Sequence, residues 1–459
     1  MEVTIREIHT SLSAFDLYSL FKKEDVIFLD SAKDPDKLGK YSFIGLNPFK
    51  KVTYSNGVVK EDGKITKGDP FVLLNHIISQ YQVINPTKLP FIGGCMGYMS
   101  YDLSRDLETL ANKSDQVVDI PSLYFVFYKN ILIVDHHHKS VFITEVSELS
   151  PGLSNLDHIE KLIHEGQANP IGPLIYDPVT CHGPFDKEDY MAAVERMRQY
   201  IRTGDIYIAN MTQTYVGKTH RQGFDIYKVL RHLNPAPFAA YMPLDGFEVL
   251  SSSPERFIQV QKGKAITRPI KGTRPRGSTQ EEDAVNKREL EESEKDKSEL
   301  LMVVDLERND LSKVCRPYTV KVTELFAVES YATVHHLVAS VEGQLREDHT
   351  AVDCMKACFP GGSITGTPKI RAMEVIDILE ATRRNIYTGC IGYFGFDGGA
   401  DFNIVIRTIL KKDNQAYIGI GGGITWESDP EEEYKEILDK GEALFRALGT
   451  KEIKDAVTD

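Results

Sequence analysis

Alternating apolar and polar positions dominate the first third of the chain. Residues 52–61 read VTYSNGVVKE, in which two alternating runs flank an Asn-Gly pair that favours the tight turn of a β-hairpin. Residues 124–135 read YFVFYKNILIVD and predict two further strands, one on each side of the central Lys-Asn. The pattern therefore predicts a strand-rich N-terminal region over residues 1–150.

Helical periodicity appears later in the chain. Apolar residues three or four positions apart, from Met191 to Ile201, predict a helix over 187–205 that ends near Gly204. Three more helices are predicted at about 279–310, 368–382 and 430–448, with strands between them at 247–253, 257–262, 389–396, 401–412 and 415–424. Runs of strands and runs of helices, rather than a regular alternation of the two, indicate an α+β fold.

The segment between these regions is irregular. Residues 151–185 contain five prolines and one short helical pattern near 155–165, which is typical of a linker. The predicted organisation is therefore an N-terminal region (1–150), a linker (151–185) and a C-terminal domain (186–459).

Composition narrows the class of protein. The 459 residues carry a formal net charge of −13, with 41% hydrophobic and 26% charged residues. That composition is ordinary for a soluble globular enzyme, and the acidic balance argues against nucleic acid as a partner. No apolar run approaches the roughly 20 residues that span a bilayer, and the N-terminus has no signal-peptide pattern. Six scattered cysteines fit a reducing compartment, so we expect a cytoplasmic protein with no membrane partner.

Two glycine-rich stretches lead into predicted helices. Residues 361–380 read GGSITGTPKIRAMEVIDILE, and residues 419–436 read GIGGGITWESDPEEEYKE. Free backbone N–H groups at the start of a helix bind anions, and glycines let a ligand approach the backbone closely. The first stretch lacks the Gly-Lys-Ser/Thr ending of a P-loop, so this pattern leaves both a capped helix and an anion site open.

Glutamates border predicted buried surfaces. In the last helix Glu433, Glu436 and Lys440 share a face that adjoins the apolar stripe, and Glu299 precedes an apolar run in another helix. Buried carboxylates need a cation or a metal as a partner. Three glutamates would offer only oxygen ligands, which suits Mg²⁺, although surface glutamates can have the same spacing.

A short basic stretch holds one lysine among three arginines. Residues 266–277 read ITRPIKGTRPRG, with Lys271 at the centre. Arginine stays charged, whereas a lysine can lose its proton in a suitable setting. The pattern leaves open a surface lysine in a basic turn and a lysine held in an active site, and it does not reveal which arginine lies beside it.

Many motifs in a fixed order connect these stretches to one family. They are FIGGCMGYMSYDL (91–103), GDIYIANMTQ (204–213), SSSPERF (251–257), RPIKGTRPRG (268–277), SELLMVVDLERNDL (298–311), YATVHHLVAS (331–340), FPGGSITGTPKIRAMEVID (359–377) and GIGGGITWESDPEEEYKE (419–436). With them the chain resembles the chorismate-utilising enzymes, which include the first components of anthranilate and aminodeoxychorismate synthases and the isochorismate and salicylate synthases. The resemblance implies large antiparallel or mixed sheets packed face to face with helices outside. It also implies that 186–459 is a chorismate-binding catalytic domain.

The resemblance implies a covalent reaction on chorismate. Lys271 would attack C2 of the ring as the C4 hydroxyl leaves, Glu255 would protonate that hydroxyl, and His336 would lie beside it. Ammonia would then enter at C4 and expel the lysine. The product would be 4-amino-4-deoxychorismate, on the folate path to 4-aminobenzoate.

The resemblance also implies the groups around the substrate. Mg²⁺ would be held by Glu299 and Glu436, with Glu433 bound directly or through water. Ammonia would come from a separate glutamine amidotransferase subunit, so a heterodimer is expected. The substrate-binding residues would be Arg407, Tyr387, Ser363, Thr365, Gly366, Gly423 and Lys440.

Two positions bear on the branch within the family. Lys271 matches the branch that forms 4-amino-4-deoxychorismate, whereas the anthranilate branch usually has alanine there. Ile208 stands where isochorismate and salicylate synthases have a lysine that activates water, which argues against attack by water. Formation of anthranilate by a chain with an atypical lysine remains an alternative. A non-catalytic protein that binds chorismate or tryptophan is another.

The positions that bind tryptophan in the family also have counterparts. Asp30 stands where glutamate is more usual, and Phe238 stands where anthranilate synthases often have tyrosine. Core packing between the two halves of the chain is the alternative role for these residues. The counterparts are Ser31, Tyr41, Ser42, Pro237 and Phe238.

Overall fold

The computed structural model describes residues 1–34, 38–110, 113–146, 154–168, 178–331 and 334–454. Its strands, numbered in chain order, are β1 (Val3–Ile8), β2 (Phe28–Asp30), β3 (Tyr41–Ser55), β4 (Val58–Glu61), β5 (Lys64–Lys67), β6 (Gly94–Met99), β7 (Leu123–Asp135), β8 (Ser140–Val146), β9 (Val179–His182), β10 (Ile208–Lys218), β11 (Phe238–Leu244), β12 (Phe247–Ser253), β13 (Arg256–Gln261), β14 (Lys264–Thr267), β15 (Ile270–Pro275), β16 (Lys321–Ser330), β17 (Val334–Gln344), β18 (Gly366–Thr367), β19 (Cys390–Gly395), β20 (Ala400–Asn403), β21 (Thr408–Lys412), β22 (Gln415–Ile424) and β23 (Thr450–Lys454). Its helices are α1 (Ala14–Phe21), α2 (Pro70–Gln80), α3 (Ser104–Leu107), α4 (Leu156–Glu165), α5 (Lys187–Arg202), α6 (Gly223–Leu233), α7 (Gln280–Glu292), α8 (Glu294–Ser312), α9 (Ala351–Cys358), α10 (Lys369–Leu379) and α11 (Pro430–Leu448). Within these ranges no helix is long and apolar enough to cross a membrane.

The strands form one hydrogen-bonded network with two arms. In the first arm they pair in the order β1-β8-β7-β6-β19-β20-β13-β14-β17, and β15 and β16 also pair with β17. In the second arm the order is β9-β10-β22-β21-β12-β11-β2-β3. The long strands β3 and β7 pair with each other and join the arms. Across the described residues, every strand pairing is antiparallel except that of β23 with β9.

The two arms pack face to face. Phe247 in β12 contacts the rings of Tyr98 in β6 and Tyr124 in β7, with ring centroids 6.2 and 6.0 Å apart. Neighbouring residues of β12 point to opposite layers, because side chains alternate along a strand. Val249 joins the core between the arms, whereas Leu250 joins the core beneath α1, α4, α5, α6, α10 and α11. The predicted α+β fold, with sheets face to face and helices outside, is confirmed.

The predicted hairpin is also present. β3 ends one residue before Asn56, and β4 begins one residue after Gly57. Both turn residues have positive φ, 49° and 78°, which is the conformation that an Asn-Gly turn provides.

The prediction of two strands over 124–135 is wrong, because β7 runs unbroken through this segment. Asn130 is fully buried in the middle of the strand, where its amide donates to the carbonyl of Thr144 in β8 at 3.0 Å. A polar residue that looks like a turn in the sequence is therefore satisfied inside the sheet.

Two predicted helix boundaries differ from the structure. The predicted helix over 279–310 is two helices, α7 and α8, because Ser293 ends one and caps the next by accepting a bond from the N–H of Asp296 at 3.3 Å. The helix predicted over 368–382 spans Lys369–Leu379. It cannot begin earlier than Pro368, because Thr367 pairs with Ile208 in the sheet.

The predicted linker is described only in part. Residues 151–153 and 169–177 lie outside the described residues, and the helical pattern near 155–165 forms α4. Strands on the two sides of this segment pair with each other, since β6 pairs with β19 and β2 with β11. The division into an N-terminal region and a C-terminal domain stays a prediction.

Candidate active site

A cavity of about 650 Å³ collects residues from distant parts of the sequence. Its walls come from β10 and β22 in the second arm, β15 and β17 in the first, the N-terminal half of α8, and α11 between Glu433 and Leu444. Its size is that of a small-molecule site. The predicted site residues that line it are Glu255, Lys271, Glu299, His336, Ser363, Tyr387, Arg407, Gly423, Glu433, Glu436 and Lys440.

Two predicted substrate-binding residues lie just behind this wall. The hydroxyl of Thr365 donates to the carbonyl of Gly361 at 2.9 Å and so folds the loop between α9 and β18. Gly366 packs so tightly in β18 that a Cβ would come within 2.1 Å of the carbonyl oxygen of Ile208. Thr365 and Gly366 therefore shape the loop that presents Ser363 to the cavity.

A β-bulge aims Lys271 into the cavity. Lys271 pairs with Leu337, and Thr273 pairs with the adjacent His336, so Gly272 is an extra residue in β15. Gly272 has a φ of 71°, a left-handed conformation that glycine adopts freely. A Cβ on Gly272 would also come within 2.8 Å of two side chains beneath it. The glycine that follows Lys271 is therefore required by the backbone.

The three arginines around Lys271 are held by carboxylates. The pairs are Arg268 with Glu324 (2.7 Å) and Glu329 (3.0 Å), Arg274 with Asp296 (3.1 Å), and Arg276 with Asp283 (2.6 Å). Lys271, by contrast, has no carboxylate within ion-pair distance in the described part of the chain, and its Nζ donates to the carbonyl of Ser363 at 3.3 Å. The arginines fix the turn, and the lysine amine faces the cavity.

Glu255 lies beside this amine and is 7% exposed. Burial raises the pKa of Glu255, while a hydrogen bond from Ser363 and the charge of Lys271 oppose the rise. A carboxyl group with a raised pKa keeps its proton to a higher pH, which is the property that a general acid needs. An amine and a carboxyl group with a raised pKa therefore lie near each other in the cavity wall.

His336 is a neutral imidazole in this setting. Burial is the main cause that lowers the pKa of His336 to about 4; the charge of Glu329 opposes this shift, and the charges of Lys33 and Arg407 add to it. Its Nδ1 lies 2.9 Å from the hydroxyl of Thr273. Near neutral pH His336 can therefore donate one hydrogen bond and accept one.

The cavity is also lined by a guanidinium, that of Arg407. Arg407 donates to the carbonyl of Lys440, and no carboxylate among the described residues pairs with it. Burial lowers the pKa of Arg407 and raises that of the neighbouring Tyr387 to about 12. Gly419 makes room for this tyrosine, because a Cβ there would lie 2.2 Å from the ring. A partly buried cation that has no counter-ion among the described residues can bind an anionic ligand.

The three predicted metal ligands line the same cavity. Lys440 contacts Glu436 at 2.6 Å, and Lys295 lies 4.0 Å from Glu299. Glu433 accepts a bond from the hydroxyl of Ser428 at 2.6 Å, while its second carboxylate oxygen is buried without a hydrogen-bond partner in the described structure. Burial raises the pKa of Glu299 and of Glu433, and the charge of Glu436 adds to both shifts.

These donors fit a divalent cation in their chemistry. All are carboxylate oxygens, they repel one another, and one buried oxygen of Glu433 has no partner in the described structure. Across the described ranges, however, no three or more His, Cys, Asp or Glu side chains are grouped closely enough to hold a metal ion. The glutamates would have to approach one another to bind Mg²⁺, which stays a prediction.

Two residues at the site were not predicted from the sequence. Asn210 lines the cavity and donates to the carbonyl of Ser363 at 3.3 Å. Arg384 is 3% exposed and donates to the carbonyls of Ile364 at 2.7 Å and Asn210 at 2.9 Å, while Glu380 neutralises it. Asn210 lies within the motif GDIYIANMTQ, so a polar residue in a buried strand was the available signal. A buried arginine in the segment TRRN looks the same in sequence as an exposed one.

Ile208 places an apolar surface near the lysine amine. It is 3% exposed. A Cβ built on Gly423 would lie 3.7 Å from Cδ1 of Ile208 and 3.5 Å from Nζ of Lys271. The absence of a side chain at Gly423 thus leaves room between the isoleucine and the amine, and no basic group stands at position 208.

A second cavity of about 340 Å³ corresponds to the predicted tryptophan site. Ser31, Tyr41, Pro237 and Phe238 line it, and the hydroxyl of Ser42 accepts a bond from the N–H of Ser31 at 2.9 Å behind the wall. The carboxylate of Asp30 is already paired with Arg231 and accepts a bond from Tyr227 at 3.2 Å. Tryptophan binding stays a prediction.

Comparison with known proteins assigns the chain to a family. Residues 24–446 match the chorismate binding enzyme family, which covers most of the chain. The chain therefore belongs to the chorismate binding enzyme family, and the cavity that Lys271 and Arg407 line is its candidate chorismate site.

Individual relatives carry two different names at similar identity. The chain is 37% identical over 450 residues to aminodeoxychorismate synthase component 1 of Bacillus subtilis, covering 95% of this chain and 94% of the relative. It is 36% identical over 454 residues to anthranilate synthase component 1 of Acetivibrio thermocellus, covering 94% and 92%. Among solved structures it resembles anthranilate synthase component I from Streptococcus pneumoniae, with a TM-score of 0.79 and 29% identity over 87% of this chain and 91% of that one. Overall identity does not separate the two reactions.

Proposed function

We propose that the chain converts chorismate and ammonia into 4-amino-4-deoxychorismate through a covalent intermediate on Lys271. The observation that carries this proposal is the environment of the Lys271 amine. Lys271 is the one cation of residues 266–277 that has no carboxylate partner in the described structure, and its amine faces the cavity beside Glu255. A structural lysine in that turn would be paired as its three neighbouring arginines are.

The substrate carries two carboxylates, and the cavity offers a place for each. Arg407 and Tyr387 at one end would bind the enolpyruvyl carboxylate, with two parallel bonds from the guanidinium. Ser363, Gly423 and Lys440 would bind oxygens of the ring carboxylate. This orientation would bring the ring between Lys271 and the opposite wall.

The chemical steps follow from the groups beside the ring. The amine of Lys271 forms a bond to C2 and gives up one proton, both double bonds of the ring diene shift one position towards C4, and the C4 hydroxyl leaves as water with the proton of Glu255. The neutral imidazole of His336 lies near the leaving hydroxyl and can hydrogen-bond to it. Ammonia then bonds to C4, both double bonds shift back, and the C2–nitrogen bond to Lys271 breaks, while the proton that the ammonia nitrogen loses restores the lysine amine. Ile208 offers no base to activate a competing water.

Mg²⁺ would be held by Glu299 and Glu436, with Glu433 bound directly or through water. When bound it would supply positive charge to offset the ring carboxylate next to three glutamates. The buried and unpartnered oxygen of Glu433 supports this assignment.

Ammonia is expected from a partner subunit. The relatives named component 1 belong by name to enzymes of more than one component, and we propose a glutamine amidotransferase as the partner of this chain. A cytoplasmic heterodimer is the form in which we expect the enzyme to work.

The second candidate function is formation of anthranilate and pyruvate, which relatives of equal similarity favour. Incubation of the purified chain with chorismate, Mg²⁺ and ammonium separates the two. We expect a product that gives 4-aminobenzoate only after a lyase is added, with pyruvate released at that stage. Fluorescent anthranilate and pyruvate without the lyase would establish the second candidate. Binding of chorismate without turnover would instead identify a non-catalytic chorismate-binding protein.

The metal assignment gives a separate prediction. Glu299→Gln is expected to raise the Mg²⁺ concentration for half-maximal activity by about tenfold or more, because the site loses the negative charge of one carboxylate ligand. Glu432→Gln is the matched control, because Glu432 is on the exposed face of α11 and pairs with Lys435 at 2.8 Å. An unchanged Mg²⁺ dependence in the first variant would remove Glu299 from the ligand set.

A further inference from the structure

A buried acid behind the cavity wall has no part in these steps. Glu307 is 6% exposed and lies on α8, two turns beyond Glu299. It touches β14 through Thr267, and a Cβ on Gly362 would lie 3.6 Å from its Cγ. Glu307 therefore contacts the strand that leads to Lys271 and the loop that carries Ser363.

The hydrogen bonds of Thr267 indicate the protonation state of Glu307. The hydroxyl oxygen of Thr267 lies 2.8 Å from the carbonyl oxygen of Phe257 and 2.9 Å from Oε2 of Glu307. A hydroxyl has one proton and can donate to only one of these two acceptors. Both contacts are satisfied when Glu307 carries a proton, because Glu307 then donates to Thr267 and Thr267 donates to Phe257.

The charges around Glu307 favour the same state. No lysine, arginine or histidine of the described ranges lies within ion-pair distance of it. The charged groups that face it are Glu255 across the strands, Asp310 on its own helix and Lys369 on α10, and Lys369 is paired with Asp310. Burial raises the pKa of Glu307 to about 8; Glu255 and Asp310 add to the rise, whereas Thr267 and Lys369 oppose it.

We propose that Glu307 is a positioning residue that works as a neutral carboxylic acid, holding Thr267 and Phe257 together through a chain of two hydrogen bonds. Phe257 follows Glu255 by two residues, and Thr267 precedes Lys271 by four. The chain of bonds therefore fixes the proposed acid and the proposed nucleophile relative to each other. Its effect on activity rests on the proposed function, whereas the protonation of Glu307 does not.

Ionisation of Glu307 has a defined consequence for stability. Its ordinary pKa is 4.5, and in the folded chain it is raised to about 8. Between these values the folded chain keeps a proton that the unfolded chain has released, so stability falls as the pH rises through this interval. The contribution of neutral Glu307 is fully present below pH 4.5 and is lost above about pH 8.

The first test does not depend on catalysis. Infrared spectra and urea unfolding of the full chain are compared between pH 5 and 9 for the wild type and Glu307→Gln, whose amide retains a donor for Thr267. We expect a carbonyl stretching band of a protonated carboxyl group that titrates near pH 8 in the wild type and is missing from the variant. We also expect the wild type to lose stability relative to the variant as the pH rises to 8.

Glu347→Gln is the control for both measurements, because the side chain of Glu347 is 88% exposed and pairs with Arg316, away from Glu307 and Thr267. A wild-type spectrum without the Glu307-dependent band at pH 6 would overturn the assignment of a neutral acid. The same would follow if the relative stability of wild type and Glu307→Gln did not change with pH.

The second test measures positioning. With a pKa of about 8, the neutral fraction of Glu307 falls about tenfold between pH 7 and pH 9. We therefore expect kcat/KM for chorismate to fall about tenfold further in the wild type than in Glu307→Gln over that interval. An equal alkaline loss in both proteins would overturn the positioning role. A wild type that consumes no chorismate would refute the proposed function instead, and the infrared titration would still decide the state of Glu307.

Discussion

Replacement of Lys271 with alanine is expected to lower the turnover of chorismate with ammonia by roughly 10³- to 10⁶-fold, the scale on which loss of a covalent nucleophile acts. The variant has no amine to bond to C2, so the C4 hydroxyl must leave without covalent assistance. The KM for chorismate should change little, because Arg407 and Tyr387 remain to bind a carboxylate. Steady-state kinetics with a coupled lyase measures both constants.

The control for this variant is Lys264→Ala. Lys264 lies on β14, seven residues before Lys271, and pairs with Glu342 away from the cavity. Its loss should leave turnover within about twofold of the wild type, as expected for an exposed ion pair. If Lys271→Ala kept more than about a tenth of wild-type turnover, covalent assistance by this residue would be excluded.

Glu255→Gln is expected to lower kcat by roughly 10²- to 10⁴-fold, which is the usual contribution of a general acid. Glutamine has nearly the shape of a protonated glutamate but cannot transfer a proton to the leaving hydroxyl. Because burial raises the pKa of Glu255, the wild type holds this proton to a higher pH than an exposed glutamate does. Its activity should therefore decline with rising pH as Glu255 ionises.

Two readouts separate an acid from a structural carboxyl in this position. Glu255→Gln should lose most of its kcat with little change in KM. Glu342→Gln, which removes a surface carboxylate from β17, should change neither constant. If Glu255→Gln raised KM and left kcat intact, Glu255 would be a binding residue and the proton would come from another group.

Local sequence patterns were enough to predict parts of the site. The face of α11 that holds Glu433, Glu436 and Lys440 follows from helical spacing alone, and all three residues line the cavity. The Asn-Gly hairpin after β3 is equally local. In both cases the relevant neighbours are a few residues away, so periodicity and turn chemistry determine the result.

Features that depend on distant partners could not be predicted in this way. Arg268 is held by Glu324, which is 56 residues away. The sequence therefore did not reveal that, of these four cations, Lys271 alone lacks a carboxylate partner in the part of the chain that the structure describes. Asn130 reads as a turn residue until β8 provides the carbonyl that satisfies it. The protonation state that we propose for Glu307 is inferred from its contact with Thr267, which lies 40 residues away in the chain.

The most direct test of the account is the intact mass of the protein after exposure to chorismate and Mg²⁺ without ammonia. Wild type should gain the mass of chorismate less one water, and peptide fragmentation should place the addition on Lys271. Lys264→Ala should form the same adduct, Lys271→Ala should not, and added ammonium should remove it as product appears. An adduct that persists in Lys271→Ala would contradict the account. So would a wild-type enzyme that forms product with ammonia but gains no mass when ammonia is left out.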